Sequence, residues 1–183
     1  MELLTLDHLD EIYWPEAEKL YDEAFPLEGR KSDAIIRSMF DRRVSRLHVG
    51  INDGQVEAMA ITGKVDEGRV LLIDYLAVKG RLRGQGIGGA FMHEIVRWAK
   101  DTEKLRGIVI EAECEPGGDN MRRIRFWEKC GFTLTEYVHR YIWVPELYSA
   151  MALSFDPANP LPHRGEELFR YITDFHRKAY AGK

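Results

Sequence analysis

The sequence predicts a mixed α/β (α+β) fold. A mostly antiparallel sheet is flanked by helices and followed by a C-terminal extension ending in a helix. Three observations carry this. Arg46–Ile51 and Gln55–Gly63 flank Asn52-Asp53-Gly54, a hairpin signal because Asn, Asp and Gly tolerate positive φ. From Arg69 to Val138, strand-like and helix-like stretches then alternate. Near the C-terminus Leu168, Tyr171, Ile172 and Phe175 fall at i, i+3, i+4 and i+7, one stripe of a helix.

In chain order, Glu2–Leu6 is a first strand. Asp7 offers a cap for a helix running toward Ala24, which Pro15 either kinks or restarts. Phe25-Pro26-Leu27-Glu28-Gly29 is a loop, and Ser32 and Asp33 offer a cap for a second helix carrying Ile35, Ile36 and Met39-Phe40. After the hairpin, Arg69–Val78 is a continuous apolar run, the pattern of a strand buried on both faces. Gly80–Gly89 is a basic, glycine-rich loop. The helix after it aligns Ile87, Phe91, Ile95 and Trp98 on one stripe. Gly107–Cys114 is the next buried strand. Pro116-Gly117-Gly118 breaks the chain, and Asp119 or Asn120 can cap a helix up to Lys129. Gly131 closes that helix in a left-handed conformation, and Phe132–Val138 is a further strand. From about Tyr141 onward, Pro145, Pro157, Pro160 and Pro162 make the tail loop-rich until its final helix.

With 183 residues the chain suits one domain, a core of about 1–138 plus an extension of about 139–183. Folding at this length requires no disulfide or metal. The net charge of −4 argues against a generally basic nucleic-acid binder. No apolar run reaches the roughly 18–20 residues of a membrane span, and Met1-Glu2-Leu3-Leu4 lacks the basic start of a secretory signal. Cys114 and Cys130 form no CxxC pair, the six histidines show no metal-ligand spacing, and no G-x-S-x-G elbow occurs. A cytoplasmic protein with two reduced thiols and no metal is the expectation.

Chemistry concentrates in Leu76-Ala77-Val78-Lys79-Gly80-Arg81-Leu82-Arg83-Gly84-Gln85-Gly86-Ile87-Gly88-Gly89. Glycines opening a helix let backbone N–H groups converge on an anion, and the helix dipole adds positive charge there. Lys79, Arg81 and Arg83 reinforce it, so the stretch reads as a pyrophosphate cradle. The plain alternative is a tight turn with solvated basic residues. A dinucleotide reading also exists, because Gly84, Gly86 and Gly89 match G-x-G-x-x-G and Glu111 lies 22 residues beyond Gly89. Against it, Lys79 to Arg83 separate strand from first glycine, and no second βαβαβ half follows.

The loop resembles the acetyl-CoA loop of the GNAT acyltransferase superfamily, Gln/Arg-x-x-Gly-x-Gly/Ala, met here as Arg83-Gly84-Gln85-Gly86-Ile87-Gly88. Asn120 and, at the end of its helix, Phe126-Trp127-Glu128-Lys129-Cys130-Gly131-Phe132 resemble a second family motif at the family's offsets. The resemblance covers roughly Met1 to Val138 and leaves the tail unexplained. It implies that acetyl-CoA is the acyl donor and that the amides of Arg83–Gly88 bind its pyrophosphate. It also implies that Leu76, Ala77 and Val78 pair with the pantetheine arm as an added strand, with a strand amide polarising the thioester carbonyl. Arg81 and Lys79 become partners for the nucleotide phosphates, Gly89 extends the loop, Asn120 contacts the pantetheine end, and Phe126 and Trp127 flank it.

The implied reaction is direct acetyl transfer to an amine of a small molecule or peptide. An ammonium of pKa near 10.4 must lose a proton first. Glu111, Glu113 and Asp74 are the candidate bases or ammonium anchors, with solvated strand-end acids as the plain alternative. Glu111 and Glu113 share one strand face. Many family members place a Tyr where this chain has Trp127, and that Tyr protonates the leaving thiolate. Indole donates a hydrogen bond but does not ionise usefully, so Trp127 is not that acid. Tyr137 or Tyr141 could substitute. Phe25–Arg30, with Glu28, is expected to border the acceptor site. Trp127 also supports a rival reading, a non-catalytic acyl-CoA-binding or sensing module. The tail helix either covers the sheet or packs on a second subunit as a homodimer.

Overall fold

The computed structural model describes residues 1–181; Gly182 and Lys183, at the end of the tail, lie outside the described residues. The predicted hairpin organises the first half of the sheet. β2 (Ser45–Asn52) turns through Asp53 and Gly54, both at positive φ, into β3 (Gln55–Val65). β1 (Glu2–Leu6) adds antiparallel to the outer edge of β2, and β4 (Val70–Val78) adds antiparallel to β3. The ladder slips once between β3 and β4. Ile61 faces Tyr75 but Thr62 faces Ile73, so Asp74 is left over as a bulge.

The second half begins with the only parallel contact among the described residues. β5 (Gly107–Glu113) runs beside β4, but pairing holds only from Val70–Leu72 to Gly107–Val109. Beyond those three residues the two strands are not paired, so Ile73–Val78 presents a free edge. β7 (Leu147–Ser154) pairs antiparallel along the whole of β5, and β6 (Thr133–Arg140) closes the outer edge of β7. The strand order is β1-β2-β3-β4-β5-β7-β6, a seven-stranded mixed sheet that is mostly antiparallel, as expected.

Helices cover both faces. On one lie α1 (Trp14–Ala24), α2 (Asp33–Asp41) and α5 (Gly165–Tyr180). They bury Trp14, Leu20, Ile36, Met39, Phe169 and Phe175 against alternate residues such as Leu47, Val49, Leu72 and Val109. On the other lie α3 (Ile87–Arg97) and α4 (Gly118–Lys129), which bury Phe91, Met92, Ile95 and Ile124 against Leu71, Ile73, Ile108 and Ile110. Among the described residues no helix is long and apolar enough to cross a membrane.

Several local expectations need correction. Asp10, not Asp7, ties the approach to α1, with its Oδ1 accepting from the Ile12 and Tyr13 N–H groups at 2.8 and 3.0 Å. Of the two outcomes expected for Pro15, it starts a helix. Ser32 does sit at the N-cap of α2, without a side-chain cap bond. Gly117 takes that place before α4, so Asp119 and Asn120 fall inside the first turn. The tail is not loop-rich throughout. Its Leu147–Ser154 stretch becomes β7, inserted between β5 and β6. Its last helix buries Leu168, Phe169, Ile172, Phe175 and Ala179, while Tyr171 is only half-buried at the edge of the stripe.

α5 is seated by a missing side chain. A Cβ on Gly63 of β3 would lie 2.1 Å from Cε2 of Phe175, which is itself fully buried. We expect Gly63→Ala to destabilise the fold by about 1–3 kcal/mol through overpacking. At this length that is a fall of about 2–4 °C in Tm per kcal/mol in a thermal melt. An unchanged Tm would mean that α5 is not held against β3.

Candidate active site

The glycine loop is built from the end of β4 upward. Past Val78 the chain makes a 3₁₀ turn at Gly80–Leu82, in which the Leu82 N–H donates to Lys79 O at 2.8 Å. Arg83 Nε donates to Val78 O at 3.2 Å, and Gln85 Nε2 to Arg81 O at 2.8 Å, so side chains fold back and staple the loop. Gly84 (φ +78°) and Gly86 (φ +85°) are left-handed, a conformation that other residues rarely adopt. The first ladder bond of α3 runs from the Ala90 N–H to Gly86 O at 3.0 Å, so the N–H groups of Ile87, Gly88 and Gly89 precede it. A Cβ on Gly84, Gly86 or Gly89 would meet nothing within 4 Å, so the loop is uncrowded where side chains would stand. Gly88 is different: its Cβ would stand 3.1 Å from Phe126 and 3.5 Å from Val78. Phe126 and the Val78 side chain thus both lie against the loop at Gly88. Lys79 is half-buried, whereas Arg81 and Arg83 are exposed beside the helix N-terminus.

Asn120 and Trp127 sit on the same helix as Phe126. Asn120 Nδ2 donates to Glu115 O at 3.1 Å and its Oδ1 accepts from Arg123, which holds the break before α4 in shape. Trp127 is half-buried and packs edge-on to Phe126 and Phe132 at centroid distances of 5.0 and 5.2 Å.

On the α1/α2/α5 face, the unpaired stretch between β4 and β5 gathers charge. Lys31 Nζ donates to both oxygens of Asp74, at 2.8 and 2.9 Å, and neither side chain is more than 4 % exposed. The Lys31 backbone is pinned as well. Its N–H donates to the Tyr75 hydroxyl and its carbonyl accepts from the Tyr21 hydroxyl, each at 3.0 Å. Phe25, at the start of the Phe25–Arg30 loop, packs edge-on to Tyr75 at 4.9 Å. Arg30 turns back to pair with Asp22.

Glu111 lies across from Asp74 on β5. Tyr141 donates its hydroxyl proton to Oε2 at 2.6 Å, and His176 Nε2 lies 3.1 Å from Oε1 without the alignment of a hydrogen bond. His176 Nε2 is also 3.9 Å from Asp74 Oδ1. Burial would raise the Glu111 carboxyl, but His176, Tyr141 and Lys31 together outweigh it and hold the group below its ordinary value. It is therefore a carboxylate at neutral pH. Burial and then the Glu111 charge push the Tyr141 hydroxyl upward, so Tyr141 keeps its proton.

The other predicted acid differs. Glu113 has 36 % of its side chain exposed and pairs with Arg123 at 2.9 Å. Of the three predicted carboxylates, Asp74 is neutralised by Lys31, Glu113 faces solvent, and Glu111 is the enclosed one. Tyr137 meets the His139 ring nitrogen at 3.3 Å, and His139 stacks on Phe169 at 4.2 Å. Lys31 and His176 are functional candidates that sequence reading missed. The only hint was that His176 directly follows Phe175 of the apolar stripe.

A dinucleotide fold is not what the sheet forms. β1–β4 are antiparallel, and Glu111 faces α5 rather than the α3 face. Comparison with known proteins agrees with the alternative. Residues 6–132 match the model of the Acetyltransferase (GNAT) family. A Bacillus subtilis (strain 168) protein, YjbC, named as an acetyltransferase, is 31 % identical over 114 residues. Those residues are 61 % of this chain and 53 % of YjbC, so the chain matches about half the length of that relative. Among solved structures, a GNAT-family protein from Bacteroides thetaiotaomicron superposes with a TM-score of 0.74 over 98 % of both chains at 21 % identity. An aminoglycoside 6'-N-acetyltransferase complexed with coenzyme A superposes at 0.70 over 88 % of this chain and all of its own, at 12 % identity. With its sheet, its glycine loop and more than half its length matched, this chain belongs to the GNAT acetyltransferase family.

Proposed function

We propose that the chain is an N-acetyltransferase that moves an acetyl group from acetyl-CoA directly to an amine of a small molecule or peptide. The observation that carries this is the placement of three features at one opening of the sheet. They are open amides at the N-terminus of α3, the free edge of β4 at Ile73–Val78, and an ionised, enclosed Glu111 on the facing strand.

The cradle suits a pyrophosphate. Left-handed glycines let a loop bring backbone N–H groups round one anion, and Gly84 and Gly86 are left-handed here, with exposed Arg81 and Arg83 in the same stretch. The edge at Leu76–Val78 offers backbone groups to an extended pantetheine arm, and its N–H groups offer a donor to the thioester carbonyl. Phe126 lies beside that path through Gly88 and Val78.

Glu111 receives the amine. A carboxylate near or below 4.5 cannot strip an ammonium of pKa about 10.4 without an uphill step of about 8 kcal/mol. Its primary work is therefore to attract the ammonium and orient it. One proton leaves to bulk water before the freed nitrogen attacks the acetyl carbon; as the C–S bond breaks, the nitrogen gives up a second proton, which passes by Glu111 or water to the departing thiolate. Tyr141, protonated and donating to Glu111, orients that carboxylate; its raised pKa makes it too weak an acid for a thiolate of Cys-like pKa, about 8.5, so the sulfur departs as the thiolate. Asp74, fully paired, holds Lys31 rather than substrate.

The rival reading, a non-catalytic acyl-CoA-binding module, draws on Trp127, which packs between two rings and supplies no ionisable proton. Thiol release from acetyl-CoA across a panel of amines separates the two. Turnover supports the enzyme. Saturable binding with no turnover of any amine supports the module.

Gly86→Glu places a carboxylate against the pyrophosphate and a side chain at φ +85°. Calorimetric titration should show acetyl-CoA affinity falling at least 100-fold, and wild-type affinity would remove the loop assignment. Glu111→Gln should lower kcat/KM for the amine at least 30-fold while leaving acetyl-CoA affinity within twofold. Glu113→Gln, at a half-exposed position paired with Arg123, should change it less than threefold. Equal losses in the two variants would contradict the choice of Glu111. Because the folded pKa of Glu111 is lowered, its charge contributes stability above about pH 4.5, lost as pH falls through the folded value. The stability gap between wild type and Glu111→Gln, read by denaturant melts, should shrink on acidification. A gap that widened would reverse the sign of that interaction.

A further inference from the structure

We infer that His176, carried by the C-terminal helix, is a positioning residue that holds Glu111 in the opening between β4 and β5. This rests on the acetyltransferase reading above and extends it beyond residues 6–132, the part of the chain that matches the family model.

The geometry starts with α5. Its apolar stripe fixes the helix's rotation: Leu168, Ile172, Phe175 and Ala179 are all buried, with Phe175 seated over Gly63. Its axial position is fixed from the far end. Arg42 Nη1 and Nη2 donate to the carbonyls of Lys178 and Ala179 at 2.6 and 2.9 Å, occupying groups that a helix C-terminus otherwise leaves to solvent. One residue past Phe175, His176 is thereby delivered to the sheet opening. Its ring lies nearly parallel to that of Tyr141, at 10° with centroids 6.0 Å apart. Its Nε2 reaches Glu111 Oε1 at 3.1 Å and approaches Asp74 Oδ1 at 3.9 Å. Tyr141 holds the other Glu111 oxygen. Both oxygens of the carboxylate are therefore met by residues from beyond the family match, one from the segment after β6 and one from α5.

The groups around Glu111 come from every packed element. They are Lys31 ahead of α2, Asp74 on β4, His139 on β6, Tyr141 after it, Tyr148 on β7 and His176 on α5. Lys31 is occupied by both Asp74 oxygens. Among the described residues that leaves the His176 ring, with Nε2 3.1 Å from Oε1, as the nearest side-chain nitrogen to Glu111. The imidazole nitrogen lies against Oε1 while Tyr141 holds Oε2, so the carboxylate is bracketed in the opening.

Two variants test this. His176→Phe keeps an aromatic ring beside Tyr141 and removes the nitrogen; His176→Ala removes both. In each, kcat/KM for the amine should fall at least tenfold, mostly in KM, with acetyl-CoA affinity within twofold of wild type. The Glu111 carboxyl, followed by ¹³C NMR, should titrate at higher pH in both, because a group that lowers it is gone. A His176→Phe variant with wild-type kcat/KM and an unchanged Glu111 titration would overturn the proposal and leave His176 a packing residue. If the wild-type protein acetylates no amine, the acetyltransferase reading fails. The carboxyl titration then still decides the pairing: a raised midpoint supports it, and an unmoved one ends it.

Discussion

The three-residue pairing of β4 with β5 is the constraint on which the rest depends. Two parallel strands buried on both faces would normally continue their ladder, since each unmade backbone bond is costly where water is excluded. Here they stop at Leu72 and Val109. The bulge at Asp74 and the ion pair it makes with Lys31 accompany that parting. A buried pair of this kind adds little net stability over an apolar replacement, yet losing one partner costs about 3–5 kcal/mol. Its contribution is better understood as geometric. It anchors the chain ahead of α2 to β4 and fills one face of the gap with polar groups.

From that parting follow both halves of the proposed chemistry. The free edge of β4 leads directly into the 3₁₀ turn and the left-handed glycines, so an extended ligand arm and its phosphates meet consecutive segments. The other lip, β5, carries Glu111 and Glu113 on one face at the period of two that a strand imposes. Basic residues sit at the loop and acidic ones at the facing strand. The chain's mild net charge of −4 thus averages over two oppositely charged regions.

What was legible in the sequence was what local backbone chemistry decides. Asp53-Gly54 and Gly84/Gly86 require positive φ, and both the hairpin and the loop were recognisable for that reason. Arg69–Val78 and Gly107–Cys114 were visible as apolar runs because both of their faces are covered. β7 was hidden by the prolines around it and by its own composition: Ser149, Ala150 and Ala152 are small, and none is a strong strand former. Long-range pairings were also out of reach. Lys31 meets Asp74 across 43 residues, and no local pattern marks either as the other's partner. The same holds for His176 and Glu111. The sequence could offer three carboxylates, but only burial and partners distinguish the enclosed Glu111 from the solvated Glu113 and the neutralised Asp74.

The most direct measurement is an amide-resolved NMR titration with acetyl-CoA. The largest changes are expected at Leu76–Val78 and Gly84–Gly89, with slowed hydrogen exchange along the β4 edge as its amides gain partners. Glu111 and its neighbours on β5 should respond more weakly, since the donor meets them only at its acyl end. Changes confined to another surface, such as the basic residues Arg43 and Arg46 near α2, with the β4 edge exchanging as before, would contradict it.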